Sequence, residues 1–115
     1  MELVARAQKT GIETLALSAE VFASLTAREH PQGILAVAEW RRRSLESLSP
    51  PRWGVALVEP QDPGNIGTIL RTMDAVGADV LFLVGNSADP THPGAVRASM
   101  GALFWIPVVQ CDFPA

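Results

Sequence analysis

The order of apolar and amphipathic segments after residue 52 constrains the fold of this chain most strongly. Short apolar runs at 55–58, 80–84 and 106–109 alternate with helical patterns over 65–76 and 93–103. Strand, helix, strand, helix, strand is typical of a parallel α/β sheet. Uninterrupted apolar strands fit a sheet that is covered on both faces. We therefore expect an α/β fold built on parallel strands.

The residues before this region form a second, less regular block. Residues 2–9 predict a helix that ends at Gly11, and Ser18 is placed to cap another. A turn is expected over 30–33 and a buried strand over 34–38. Residues 41–52 are charged, serine-rich and contain a double proline, which is typical of a linker or an exposed connection. Since roughly 40 residues make a poor independent core, the first block is expected to begin inside a larger domain.

Composition narrows the classes of protein. The chain has 115 residues, 48% of them apolar, which fits about one globular domain. No apolar run approaches the ~18 residues of a membrane span, and the first residues do not resemble a signal peptide. The single cysteine excludes an internal disulfide and a cysteine-based metal site, and it fits a reducing compartment such as the cytoplasm. The net charge of −3, with eight arginines and one lysine, neither predicts nor excludes RNA binding.

The segment 59–79 follows a predicted strand and opens a helix, which is where ligands bind in open α/β sheets. Pro60, Pro63 and Gly64 delay the helix, so Asn65 is expected to cap or begin it, and Gly77 to end it. A helical wheel places the apolar residues on one face and Arg71 opposite them. That face contains Ile66, Ile69, Leu70, Met73 and Val76.

Several of these residues allow a structural and a functional interpretation. Arg71 is expected to face solvent, a ligand or another subunit, and Gly67 to serve close packing of the helix on the sheet. Gly64 and Gly67 before a helix could hold an anion, although the Walker lysine and the three-glycine dinucleotide fingerprint are missing.

The segment 93–104 raises the same choice. Arg97 and Ser99 either contact a phosphate or substrate, or belong to a tightly packed helix with one arginine at its edge. His30 and His92 are expected on the surface, because neither has a second ligand at metal spacing.

The pattern Asp62-Pro63-Gly64-Asn65-Ile66-Gly67, then Arg71, then 75–79, resembles the first motif of the SpoU/TrmH RNA ribose methyltransferases. The residues 97–104, followed by Pro107, resemble the next stretch of that family, so the similarity covers about 53–109. Residues 17–22 and 32–36 are similar to the end of the small substrate-binding domain that many of these enzymes carry. That domain resembles ribosomal protein L30e, and its first half is expected to be missing here.

The resemblance implies methyl transfer from S-adenosylmethionine to a ribose 2′-hydroxyl of rRNA or tRNA. Arg71 would activate the hydroxyl or orient the adjoining phosphate, and Asn65 would position Arg71 or the substrate. Arg97, Ser99 and Gln32 would contact RNA. The resemblance also implies a homodimer, with the site near the subunit interface.

The later motifs of the family, which form a knotted (SPOUT, trefoil-knot) cofactor pocket, do not occur before Ala115. The expected organisation is a partial L30e-like RNA-binding domain over 1–45, a linker over 46–52, and the first half of a SpoU methyltransferase domain over 53–115. No residue of this chain is then expected to bind S-adenosylmethionine, the chain alone is expected to be inactive, and a sheet edge is expected to be exposed. Two alternatives stay open: a non-catalytic RNA-binding or dimerisation module, and a small α/β nucleotide-binding protein.

Overall fold

A computed structural model describes residues 2–26 and 32–113. The chain divides into two compact units, Met1–Ala38 and Glu39–Ala115. His30 and Pro31, and with them half of the turn predicted at 30–33, lie outside the described residues.

The first unit contains two helices, α1 (Glu2–Lys9) and α2 (Ala19–Leu25). Both agree with the sequence patterns: Gly11 adopts a positive φ of 77° just after α1, and the Ser18 hydroxyl accepts a hydrogen bond from the Val21 amide at 3.3 Å. The strand predicted over 34–38 is wrong, because these residues form no strand and their large apolar side chains are exposed. A strand needs a neighbour for its backbone hydrogen bonds, and the described part of this unit contains only helices and irregular chain.

The second unit is built on a parallel three-stranded sheet, as predicted. Its strands are β1 (Gly54–Val58), β2 (Val80–Val84) and β3 (Val108–Cys111), in the spatial order β1-β2-β3. The strands β1 and β2 pair in parallel from Gly54–Val80 to Val58–Val84. The strands β2 and β3 pair in parallel from Leu81–Val108 to Val84–Cys111. The carboxyl ends of all three strands therefore meet at one edge of the sheet.

The helix α3 (Pro63–Val76) connects β1 to β2 and begins two residues earlier than expected. Asp62, not Asn65, is its N-cap: the Asp62 carboxylate accepts a hydrogen bond from the Gly64 amide at 2.7 Å. Proline at the first helical position is favourable because its φ is already helical and its missing N–H would be unpaired there. Gly77 ends the helix in a left-handed conformation with φ 72°, as predicted.

The buried face of α3 agrees with the helical wheel except at its end. Ile66, Leu70 and Met73 are at most 2% exposed, whereas Val76 is 59% exposed. Val76 is the last helical residue, where the chain turns away towards β2.

The helix predicted over 93–103 is two shorter elements. The helix α4 (Pro93–Ala98) is followed by a 3-10 turn at Ala102–Phe104. Between them Met100 has φ 52° and Gly101 has φ 98°, which interrupts the helical path. This break lets Ala102 and Leu103 reach the core, where both are at most 2% exposed.

Close contact between α3 and α4 depends on Gly67. A Cβ atom added at Gly67 would lie 2.7 Å from the Ala98 Cβ and 2.9 Å from the Ser99 amide nitrogen. Both distances are shorter than van der Waals contact, so only glycine fits. The predicted packing role of Gly67 is thus seen, but against a helix and not against the sheet.

Residues 39–52 fold with the second unit. Trp40 packs against the hydrophobic core, and the Arg43 backbone forms a parallel bridge with Val109 on the outer side of β3. The boundary between the two compact units, after residue 38, therefore lies before the domain end predicted at residue 45. Most residues of 41–52 are nevertheless exposed, as expected for a connection. In the described ranges, no helix is long and apolar enough to cross a membrane.

Candidate active site

Two loops are joined at the carboxyl edge of the sheet. The Gln61 amide donates hydrogen bonds to the carbonyl oxygens of Glu59 (2.9 Å) and Asn86 (2.8 Å). The Ala88 amide donates to the Pro60 carbonyl at 2.7 Å. The loop after β1 is thus held against the loop after β2, which sets the starting point of α3.

The amino terminus of α3 is occupied by its own cap. Because the Asp62 carboxylate already accepts the Gly64 N–H, a phosphate at this terminus would displace a negative charge and meet its repulsion. The geometry therefore disfavours the nucleotide-binding alternative.

Arg71 is exposed on α3, away from the buried residues of that helix. Asp74, the nearest acidic residue along α3, accepts a hydrogen bond from the Trp105 indole nitrogen at 2.8 Å. Across residues 2–26 and 32–113, the one ion pair within 4.0 Å joins Arg52 to Asp79. The Arg71 guanidinium is therefore available to an external anion.

Asn65 is also exposed, but the structure does not bring it to Arg71. The two residues are six positions apart on α3, which is about 9 Å along the axis, whereas helical neighbours are three or four positions apart. Any joint action of Asn65 and Arg71 within one chain must involve a bound molecule between them.

The remaining candidates occupy different environments. Arg97 is exposed on α4. Ser99 is 1% exposed and its hydroxyl donates to the Val96 carbonyl at 2.8 Å, so in this conformation it supports α4 instead of facing a substrate. Gln32 is exposed in the first unit.

Asp79 anchors the entry to β1. Its carboxylate accepts hydrogen bonds from the Arg52 guanidinium (2.9 Å) and from the amides of Arg52 (2.8 Å) and Trp53 (3.3 Å). The hydrogen bonds from Arg52, assisted by its charge, lower the pKa of Asp79 to about 2.

A polar cleft of about 430 Å³ lies at the carboxyl ends of β2 and β3. Its lining offers amide, hydroxyl, thiol and carboxylate groups from Gly85, Asn86, Ser87, Gln110, Cys111 and Asp112. In the described part of the chain, no group of three or more His, Cys, Asp or Glu residues is placed to hold a metal ion.

Comparison with known proteins identifies the family of this chain. The model of the SpoU rRNA Methylase family matches residues 53–114, more than half of the chain and all of the parallel sheet. The chain belongs to the SpoU rRNA methylase family. The motif resemblance around Asp62 and Arg71 is thereby confirmed at the level of the family.

Characterised relatives in this family modify ribosomal RNA. The chain is 37% identical over 107 residues to the 23S rRNA (guanosine(2553)-2′-O)-methyltransferase RlmP of Bacillus subtilis, covering 93% of this chain and 42% of that protein. It is 37% identical to the 23S rRNA (uridine(2479)-2′-O)-methyltransferase of Streptomyces viridochromogenes, covering 89% of this chain and 37% of that protein. The chain thus spans about two fifths of the length of these relatives.

Solved structures show the same architecture. The rRNA methyltransferase of Sinorhizobium meliloti superposes with a TM-score of 0.86 at 36% identity, over 96% of this chain and 44% of that one. Its AdoMet-bound form superposes with a TM-score of 0.84 and covers 43% of that chain. The α/β fold predicted from the order of strands and helices is confirmed.

The polar cleft does not by itself fit S-adenosylmethionine. Sites for ligands of this size are lined mainly by apolar and aromatic side chains, and an adenine ring needs such a surface. The six residues that line the cleft supply hydrogen-bonding groups but no large apolar side chain. No step of the chemistry is therefore assigned to the cleft.

Two structural residues in this site were not found from the sequence. Gln61 lies directly before the quoted motif, and an exposed glutamine in a proline-rich loop carries no signal of its two partners. Asp79 follows a helix-ending glycine, and nothing local indicates its pairing with Arg52, 27 residues earlier.

Proposed function

We propose that this chain supplies the ribose-activating part of an S-adenosylmethionine-dependent rRNA 2′-O-methyltransferase. The observation that carries the proposal is Arg71, an exposed arginine without an ion-pair partner among the described residues, on the helix that starts at the carboxyl edge. The family match over 53–114 and the 2′-O-methyltransferase relatives support it. In the overall reaction the ribose oxygen forms a bond to the methyl group and loses its proton to the solvent, while the sulfur–methyl bond breaks and S-adenosylmethionine becomes S-adenosylhomocysteine.

Arg71 acts on the RNA and not on the methyl donor. A neutral 2′-hydroxyl is a poor nucleophile, so negative charge must develop on its oxygen as the proton leaves. The Arg71 guanidinium stabilises that charge or holds the adjoining phosphate through its paired N–H groups. Asn65, the third residue of α3, positions the same nucleotide from the amino-terminal side of the helix.

The other exposed candidates, Arg97 and Gln32, extend the RNA contact, whereas Ser99 is buried and supports α4. Arg97 presents a second guanidinium from α4, and Ser99 keeps α4 in shape through its bond to the Val96 carbonyl. Gln32 belongs to a partial L30e-like substrate-binding domain. We assign this domain to the first unit, 1–38, and not to the whole of the expected 1–45, because residues 39–45 fold with the second unit. The methyltransferase domain is assigned to 53–115, as expected, and residues 39–52 connect the two.

A homodimer is part of the proposal. Large apolar side chains are exposed around the Trp105–Asp74 hydrogen bond: Met100 is 72%, Phe104 64% and Trp105 59% exposed. Covering these side chains by a second copy would remove them from water and bring Arg71, one turn from Asp74, next to the interface. We also propose a cytoplasmic location, which the bacterial rRNA methyltransferases among the relatives support.

A chimera tests the proposal. This chain replaces the part of B. subtilis RlmP that aligns with it, and the product is incubated with a 23S rRNA transcript and methyl-labelled S-adenosylmethionine. Nuclease digestion and mass spectrometry are expected to show a 2′-O-methylated nucleoside, as intact RlmP does in parallel. Label on a base, or no label with a folded chimera, would contradict the proposed function.

A further inference from the structure

A compact cluster of positive charge lies on the second unit, apart from Arg71. The whole chain has a net charge of −3, yet three of its nine basic residues are consecutive: Arg41, Arg42 and Arg43. All three side chains are exposed. The cluster is called the arginine triplet below.

The triplet is attached to the folded sheet. The Arg43 backbone forms a parallel bridge with Val109, which lies in β3 and is 1% exposed. Trp40, directly before the triplet, packs against the hydrophobic core. Two anchors thus hold the three arginines along the outer side of β3, so little conformational entropy is lost when they bind a partner.

A small cleft of about 90 Å³ opens beside the triplet. Two arginines of the triplet, Arg42 and Arg43, line this cleft together with Gln110. The other lining residues are Trp40, Pro90 and Val108. A cleft lined by two basic residues and one neutral polar residue is suited to an anion.

The carboxylate of Asp89 is close enough to Arg42 for their charges to interact, but it forms no ion pair with the triplet within 4.0 Å. Asp89 accepts hydrogen bonds from the Thr91 hydroxyl (2.7 Å) and amide (2.8 Å). These bonds are the main reason that the pKa of Asp89 is lowered, and the charge of Arg42 contributes less. No member of the triplet has an ion pair within 4.0 Å in the described ranges.

We propose that the arginine triplet binds the sugar–phosphate backbone of single-stranded RNA as a second contact surface, separate from Arg71. Planar guanidinium groups match phosphate oxygens in pairs, and consecutive arginines on an extended edge suit the repeating phosphates of one strand. The inference goes beyond the proposed function, and its test does not require methyl transfer.

Fluorescence anisotropy with the 115-residue chain and a labelled 12-nucleotide single-stranded RNA tests this surface. The variant Arg41→Gln/Arg42→Gln/Arg43→Gln is expected to bind at least tenfold more weakly at low salt. The negative slope of log affinity against log salt should become less steep by about 2, since each phosphate contact on a single strand contributes about 0.7 to its magnitude. The matched variant with three lysines keeps the charge, so it should retain the slope. It should lose affinity only because lysine cannot form the paired hydrogen bonds of a guanidinium group with phosphate.

Three results would overturn the inference: no RNA binding by the wild-type chain, unchanged affinity and slope in the glutamine variant, or equal binding of labelled polyglutamate. Circular dichroism checks that both variants fold. If the glutamine variant does not fold, the RNA affinity of the lysine variant decides the question. Failure of the proposed function would show instead as an inactive chimera whose RNA binding still depends on the triplet.

Discussion

Gly67 shows how a single missing side chain positions the helix α3. Its hydrogen atom faces the backbone of α4, at a point where a Cβ would come within 2.9 Å of the Ser99 amide nitrogen. The backbone on both sides is helical and cannot move aside locally. The separation between α3, which carries Arg71, and α4, which carries Arg97, is therefore set at this residue.

Replacing Gly67 with alanine is expected to lower the free energy of unfolding by about 1–3 kcal/mol, the usual effect of overpacking. Urea unfolding of the chain measures this. Gly64→Ala is the control, because a Cβ there would meet only the Asp62 side chain, at 3.1 Å. Equal stability of the two variants would show that α3 and α4 are not in close contact at Gly67.

Asp79 gives the fold a dependence on pH. Its pKa in the folded chain is about 2, below the ordinary value of 3.8. The stabilisation is therefore present above about pH 4 and is lost as the pH falls towards about 2.

Asp79→Asn removes the titrating carboxyl group. The urea concentration at the midpoint of unfolding should therefore fall less between pH 4 and pH 2 than it does in the wild type. Arg52→Gln removes the partner and should have a similar effect, while the double variant should add little. A double variant whose loss equals the sum of the two single losses would show that Asp79 and Arg52 do not act as a pair.

At the scale of elements, α3 depends on a cap that differs from the residue expected from the motif. Asp62→Ala should lower the free energy of unfolding by about 1 kcal/mol, because the Gly64 amide loses its acceptor. Asn65→Ala, at an exposed position inside the helix, should change it by less than about 0.5 kcal/mol. Denaturant unfolding of both variants checks the order, and a larger effect at Asn65 would contradict the assigned cap.

Local patterns predicted most of the second unit and failed where contacts are distant. The strand 80–84 was predicted with its observed limits. A short, continuous apolar run between a helix-ending glycine and a polar loop is typical of a buried strand. The apolar run 34–38 had the same appearance, but the described part of its unit offers no strand to pair with. The break at Met100–Gly101 depends on burial of Leu103, which the small residues around it do not reveal.

The candidate site was predictable to a similar degree. The exposure of Arg71 followed from helical periodicity, since the apolar residues of α3 occupy the opposite side. The partners of Asp74 and Asp79 did not, because they lie 31 and 27 residues away in sequence. Ser99 was proposed as an RNA contact from its place in the motif, and only the fold shows its hydroxyl directed at the Val96 carbonyl.

At the scale of the whole molecule, the described residues carry two proposed RNA-binding surfaces on a parallel sheet. Arg71 lies on a helix that begins at the carboxyl edge, and the arginine triplet follows the outer side of β3. The chain spans about two fifths of the length of its relatives. The proposed methyl transfer is therefore tested in the chimera with RlmP.

The central claim is that Arg71 of this chain activates the ribose hydroxyl, and single-turnover methyl transfer by the chimera tests it most directly. Arg71→Ala should slow transfer about 10²–10³-fold, the usual loss when a group that stabilises a developing oxyanion is removed. Thr72→Ala, at the adjacent exposed position, should leave the rate within about threefold, and calorimetry should show unchanged binding of S-adenosylmethionine by both variants. A rate for Arg71→Ala equal to that of Thr72→Ala would contradict the account.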